Sequence, residues 1–132
     1  MCSSDLIGTF NLLRLAATEM SKLDPLADEE RGVVISVSSV AAFEGQLGQA
    51  AYASSKGGIA AMVLPAAREL AQFGIRVLAI APGFFLTPLM DELPKEVQAG
   101  LAGQIPFPKR LGKPEEFAAL ALHLVENLSL NV

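Results

Sequence analysis

Tyr52 and Lys56 stand four apart in Tyr52-Ala53-Ser54-Ser55-Lys56, the spacing that puts two side chains on one face of a helix. A lysine ammonium beside a phenol oxygen favours the phenolate, which a tyrosine needs if it is to exchange protons with a substrate near neutral pH. The pair alone equally fits a half-buried tyrosine next to a surface lysine. Ser39, thirteen residues before Tyr52, follows an apolar run, and from the carboxyl edge of a parallel sheet its hydroxyl can point at the same substrate atom. Ser38-Ser39 also reads as a turn or a helix cap. Pro82-Gly83 ends a second apolar run, where glycine lets a ligand approach the backbone closely, or simply closes a strand.

These side chains need a scaffold of strands and helices. Leu12 to Met20 has Leu12, Leu15, Ala16 and Met20 at helical spacing, which predicts an amphipathic helix. Ser21 to Arg31 holds Pro25 and four acids without an apolar period and reads as a surface loop. Gly32 to Ser38 is a β-branched run without polar alternation, the pattern of a strand covered on both faces. Val40 to Gln49 reads as a loop. Ala50 to Phe73 then carries a helical period, with Tyr52, Lys56, Ile59, Val63 and Leu70 near one stripe, a bend at Pro65 and a C-cap at Gly74. Ile75 to Ala81 is a second buried strand. Strand, helix and strand in this order predict a βαβ crossover and an α/β fold with a parallel sheet. Phe84 to Pro88 is a loop, about Lys95 to Gly103 a short helix, and Pro114 with Glu115 and Glu116 starts a last helix to about Glu126.

Composition narrows the options. With 132 residues and 52% hydrophobic content, the chain makes one compact domain at most. Ten Lys and Arg and a net charge of -4 argue against nucleic acid as a partner. A single Cys2 cannot form an internal disulfide, and His123 is alone, so no metal is expected. No apolar run reaches the roughly eighteen residues of a membrane span, and no membrane partner is expected.

Taken together, Gly32 to Ser39, Tyr52 to Lys56, Ile75-Arg76-Val77, Pro82-Gly83 and Thr87 resemble the short-chain dehydrogenase/reductase family. The resemblance implies a Rossmann-like doubly wound parallel sheet and a bound nicotinamide cofactor. It gives Tyr52 the role of acid/base on the substrate oxygen, Lys56 that of favouring the phenolate and holding the nicotinamide ribose, and Ser39 a hydrogen bond to the substrate. Closer likeness in Ser39 to Tyr52, Ala81 to Leu89 and Pro106 to Gly112 points to a branch that uses NAD on 3-hydroxyacyl-CoA thioesters or hydroxysteroids. By that matching, Pro82, Gly83, the backbone of Phe85 and the hydroxyl of Thr87 belong to the cofactor site, and Gln46 lines the substrate side or is merely solvated. Phe43, Phe84, Phe85 and Leu89 make an apolar acyl or steroid pocket, or anchor their loops to the core.

The resemblance breaks at both ends. No Gly-x-x-x-Gly-x-Gly turn follows an N-terminal strand, and the family's Asn in the preceding helix is matched by Asp5, which cannot donate as an amide does. Asp5 instead reads as a helix N-cap. Similarity is expected to start at about Leu6, with residues 1 to 5 outside the family domain, and to stop at Val132 before a final strand. A family domain needs about 200 to 250 residues, so residues 6 to 132 correspond to its C-terminal half, with poor stability or association and no activity expected for this chain alone. Three readings follow: part of an NAD-dependent oxidoreductase, part of an NADP-dependent 3-oxoacyl carrier-protein reductase, or a non-catalytic interaction module that keeps the family's dimerising helices. A homo-oligomer, dimer or tetramer, is implied for the full-length form. A cytoplasmic location is expected, or the mitochondrial matrix if a targeting segment lies upstream.

Overall fold

A computed structural model of the chain describes residues 2–131. The thiol of Cys2 and the stop at Val132 lie outside the described parts. Five helices and two strands follow in the order α1 (Cys2–Met20), β1 (Gly32–Val37), α2 (Ala50–Leu70), β2 (Ile75–Ile80), α3 (Pro88–Asp91), α4 (Lys95–Gly103) and α5 (Pro114–Glu126). Single 3-10 turns stand at Ala27–Glu29, Val40–Ala42 and Ala71–Phe73. The two strands pair in parallel, Gly32 opposite Ile75 through Val37 opposite Ile80, with α2 as the crossover. The α/β class and the βαβ order are therefore as the sequence predicts.

The sheet is covered on both faces. Val77 packs with Leu13, Val63 and Ala67, and partly buried Val34 and Ala79 join this cluster, so α1 and α2 cover one face. Leu78 and Ile80 point the other way and pack with Leu124, Val33, Ile35, Phe117 and Ala121, under α5. Residues two apart share a face, as a strand requires. Only β2 is deeply buried; β1 is half-buried, and Val37 at its end is 45% exposed. The expectation of a strand buried on both faces holds for β2 and fails in part for β1; along β2 the segment after α5 is tied on by Asn131 Oδ1, which accepts the Val77 N–H at 3.0 Å.

Helix α1 departs most from the sequence reading. It starts at Cys2, ten residues before Leu12, so Asp5 lies within its first turn and is not its N-cap. Its buried residues are Leu13 and Ala17, whereas Leu12 and Leu15 are exposed. The helix is apolar on several sides, so spacing alone could not choose the face that packs. Helix α2 runs unbroken through Pro65, and its buried stripe is Ser55, Ile59, Val63 and Ala67. Tyr52 and Lys56 stand beside that stripe, and Leu70 is only partly buried.

Gly74 closes the crossover as expected, with φ 69° and ψ 31°. Its carbonyl accepts the Arg31 N–H at 2.7 Å, and a Cβ there would lie 2.1 Å from the Glu29 carbonyl oxygen, so only glycine fits.

Candidate active site at the carboxyl edge of the sheet

Both strands end side by side. The Ser38 N–H donates to Ile80 O at 2.8 Å, and the Val40 N–H to Pro82 O at 3.1 Å, which carries the register past the last paired residues. Ser39 and Pro82-Gly83 therefore share one edge, the place where open α/β sheets bind ligands.

Ser39 leaves β1 in an extended conformation, and its Oγ accepts the Ala41 N–H at 3.1 Å, capping the 3-10 turn that follows. Its hydroxyl hydrogen is not used by that bond. The neighbouring Ser38 is buried and donates to the Lys56 carbonyl at 2.8 Å, tying the start of α2 to the end of β1. Lys56 reaches back over the same edge. Its ammonium donates to Val37 O at 3.1 Å, lies 3.1 Å from Asp5 Oδ2, and sits 5.9 Å from the centroid of the Tyr52 ring, within cation–π reach. Its side chain is 14% exposed, while Tyr52 is 40% exposed and its hydroxyl has no hydrogen-bond partner among the described residues. A largely buried cation thus stands next to an accessible phenol, the arrangement proton exchange with a bound substrate requires.

Beyond β2, a cavity of about 410 Å³ is lined by Pro82, Gly83, Phe85, Thr87, Met90 and Phe117 among others. The Phe85 ring meets Phe117 edge-on at 6.0 Å, so Phe85 is a loop anchor, whereas Phe43 and Leu89 are largely exposed. The N–H of Phe85 has no acceptor among the described residues. Thr87 caps α3 by accepting the Met90 N–H at 3.3 Å, which leaves its hydroxyl hydrogen free to donate. The cavity is walled mostly by apolar side chains, with Thr87 among its lining residues. Gln46 is exposed; its side-chain amide donates to Gln104 Oε1 at 3.4 Å, joining the loop before α2 to the end of α4.

Beside this cavity, at the surface, Arg110 and Glu116 brace the start of α5. Their side chains meet through two bonds, at 2.9 and 2.5 Å, and Glu116 also accepts the Lys113 N–H at 2.7 Å at the start of α5. The hydrogen bond from Arg110, then that from the Lys113 backbone, hold the Glu116 carboxyl down at about 2, against an ordinary 4.5. Because the folded value is lowered, this contribution to stability is complete above about 4.5 and is lost as the pH falls towards 2. An NMR titration of the Glu116 carboxyl carbon should show a midpoint near 2, moving up towards the ordinary value in Arg110→Gln. A normal midpoint in the unaltered chain would refute the brace.

Two residues have roles other than the sequence reading gave them. Asp5, placed at the position of the family's Asn and read as an N-cap, is the ion partner of Lys56. Arg76, 7% exposed, is a hub of buried hydrogen bonds, and its signal was a charge inside an apolar strand.

A parallel βαβ core with a tyrosine, a lysine and a serine gathered at its carboxyl edge defines the class, and the short chain dehydrogenase family model matches residues 1–98. The chain belongs to that family. It is 58% identical over 127 residues to the 3-hydroxyacyl-CoA dehydrogenase type-2 of Bos taurus, a match covering 96% of this chain and 49% of the relative. The crystal structure of 3-hydroxyacyl-CoA dehydrogenase type-2 from Mycobacterium avium superposes with a TM-score of 0.93 at 42% identity, over 98% of this chain and 52% of that one. A 3-oxoacyl-[acyl-carrier-protein] reductase of Thermotoga maritima is more distant, 38% identical over 95% of this chain and 48% of its own. The chain spans about half the length of the curated relatives it matches.

Proposed function

We propose that the chain carries the proton-transfer half of an NAD-dependent oxidoreductase acting on 3-hydroxyacyl-CoA thioesters or hydroxysteroids. The observation that carries this reading is the Lys56 ammonium held beside the accessible Tyr52 at the sheet edge. A nicotinamide in the slot beside Pro82 and Gly83 would take up or supply the hydride. Phe85 N–H and the Thr87 hydroxyl would hold its carboxamide, and Lys56 its ribose. In the oxidative direction Tyr52, as phenolate, accepts the proton of the substrate hydroxyl while the carbinol carbon loses its hydride. In reduction the Tyr52 hydroxyl returns that proton to the carbonyl oxygen. Ser39 donates its hydroxyl hydrogen to the same substrate oxygen, and Gln46 lines the substrate entrance. No Gly-rich turn for the pyrophosphate is found in these 132 residues, so the cofactor's other end needs a cradle beyond them.

The reading extends to a homo-oligomer of the full-length protein, built on α1 and α2. Between these helices lies a groove of about 530 Å³ lined by Phe10, Met62, Pro65 and Phe73 among others, and Phe10 is 53% exposed. It also extends to a cytoplasmic enzyme, or one of the mitochondrial matrix. No helix among the described residues is long and apolar enough to cross a membrane.

The test is NADH oxidation with a short 3-oxoacyl-CoA, alongside fluorescence titration with NADH and NADPH. Saturable NADH binding, tighter than that of NADPH by about tenfold, is expected with turnover of the thioester once these residues are joined to a pyrophosphate-binding turn. Preference for NADPH, or no saturable binding of either by such a protein, would refute the reading.

A further inference from the structure

Two carboxamides meet beside the helix that carries Tyr52. Gln46 lies in the loop before α2, and that loop is fixed to the helix. The Gln46 N–H donates to Gln49 Oε1 at 3.0 Å, the Gln49 N–H returns to Gln46 O at 3.0 Å, and Gln49 is the N-cap of α2, one turn before Tyr52. Gly45 presses on the same helix, since an added Cβ would stand 3.0 Å from Ala53 Cβ. Gln104 comes from elsewhere, at the C-cap of α4, in a segment that leaves and rejoins the core where the Leu86 N–H donates to Gly112 O at 2.8 Å. The Gln46 side-chain amide donates to Gln104 Oε1 at 3.4 Å, and both residues are exposed. A neutral bond of that length between exposed groups is readily exchanged for one to a ligand.

A primary carboxamide carries two N–H donors and a carbonyl acceptor. The pair uses one donor and one acceptor on each other, so the Gln46 side-chain carbonyl, its second N–H and both Gln104 side-chain N–H groups have no partner among the described residues. A secondary amide matches this set, donating its N–H to one carboxamide and accepting from the other. Of the two substrate classes, the 3-oxoacyl thioester carries such a group, because a pantetheine arm places an amide one ethylene link beyond the sulfur. The rings of a steroid offer none and would cover the carboxamides without satisfying them.

We propose that Gln46 and Gln104 form a subsite for the first amide of a pantetheine arm, Gln46 accepting its N–H and Gln104 donating to its carbonyl, so that the site favours pantetheine thioesters over hydroxysteroids. This rests on the dehydrogenase reading for its kinetic consequence, whereas contact with the arm can be measured without turnover. In the ¹⁵N-labelled chain, titration with pantetheine should shift the side-chain amide resonances of Gln46 and Gln104 saturably and leave those of Gln72, which donates to Glu69 O beyond the other end of α2, in place.

For turnover, these residues joined to a pyrophosphate-binding turn are given the acetoacetyl thioester of N-acetylcysteamine, which keeps that amide, and the S-ethyl thioester, which lacks it. The ratio of the two kcat/KM values should fall about tenfold in Gln104→Leu. Gln104→Glu keeps an acceptor for Gln46 but has no donor for the ligand, so the ratio should fall there too. Thermal melts establish that each variant is folded, and Gln104→Glu serves if Gln104→Leu is not. The acetoacetyl thioesters of CoA and of an acyl carrier protein share the arm; the better substrate identifies its source, and both should weaken in Gln104→Glu. A ratio unchanged in the folded variants would overturn the subsite. A ratio lost in Gln104→Leu but kept in Gln104→Glu would make Gln104 a tie for the loop and overturn its contact with the arm. A hydroxysteroid turned over as efficiently as the N-acetylcysteamine thioester would overturn the preference. No turnover of any substrate would sink the dehydrogenase reading, while the pantetheine titration would still decide the subsite, unshifted Gln46 and Gln104 resonances overturning it.

Discussion

Tyr52→Phe is expected to lower kcat for a short 3-oxoacyl-CoA by about 10² to 10⁴, the usual span for a positioned general acid/base, with little change in NADH affinity. The substitution removes one oxygen and leaves the ring, so the cation–π contact with Lys56 at 5.9 Å survives. Because the hydroxyl has no protein partner among the described residues and Tyr52 is 40% exposed, the change leaves no buried group unsatisfied and should not disturb folding. That separation makes the measurement decisive. Loss of turnover with unchanged melting and unchanged NADH titration assigns the effect to proton transfer, since an interaction made only in the transition state lowers kcat and kcat/KM together. A Tyr52→Phe protein that keeps more than about a tenth of the activity would show that another group moves the proton.

How far the sequence could be read follows from what each signal measures. Hydrophobic period located both strands and the helices Ala50–Leu70, Lys95–Gly103 and Pro114–Glu126 almost to the residue, because Gly74, Pro82-Gly83 and Pro114 mark their boundaries. It misjudged α1, where apolar residues on several sides hide which of Leu12 and Leu13 is buried, and where Asp5 reads as an N-cap although the helix runs from Cys2. The site was legible to the extent that it is local. Tyr52 and Lys56 are one helical turn apart, and Thr87 was visible as part of a short segment. The Asp5–Lys56 pair spans two helices far apart in sequence, and no local period reports such a contact. Likewise the Phe85 ring was equally a pocket wall or an anchor until its edge-on meeting with Phe117 decided for the anchor.

The second large effect is expected away from the chemistry, at Arg76. Near the start of the sheet's most buried strand, its Nε donates to Glu30 Oε1 at 2.8 Å. One terminal nitrogen donates to Leu124 O at 2.7 Å and Leu130 O at 3.0 Å, and the other to Val125 O at 2.8 Å. Leu124 and Val125 lie in the last turn of α5, where carbonyls have no intrahelical donor, so the guanidinium serves as that helix's C-terminal cap. Beside it, Asn131 Oδ1 accepts the Val77 N–H at 3.0 Å, pinning the segment after α5 along β2. Replacing Arg76 with Met keeps apolar volume in the strand but strands Glu30 and those carbonyls. Losing one partner of a buried pair costs about 3–5 kcal/mol. Since whole domains are stable by only about 5–15 kcal/mol, Arg76→Met should unfold the chain or bring its urea midpoint close to zero. Adding Glu30→Leu removes the orphaned carboxylate and should return part of the loss, because an apolar pair often replaces a buried ion pair at little cost. Equilibrium urea denaturation of the two single variants and the double variant supplies the cycle. An Arg76→Met protein within about 1 kcal/mol of the original would mean that α5 is held by its apolar contacts with Leu78 and Ile80, and that the arginine is incidental to the docking.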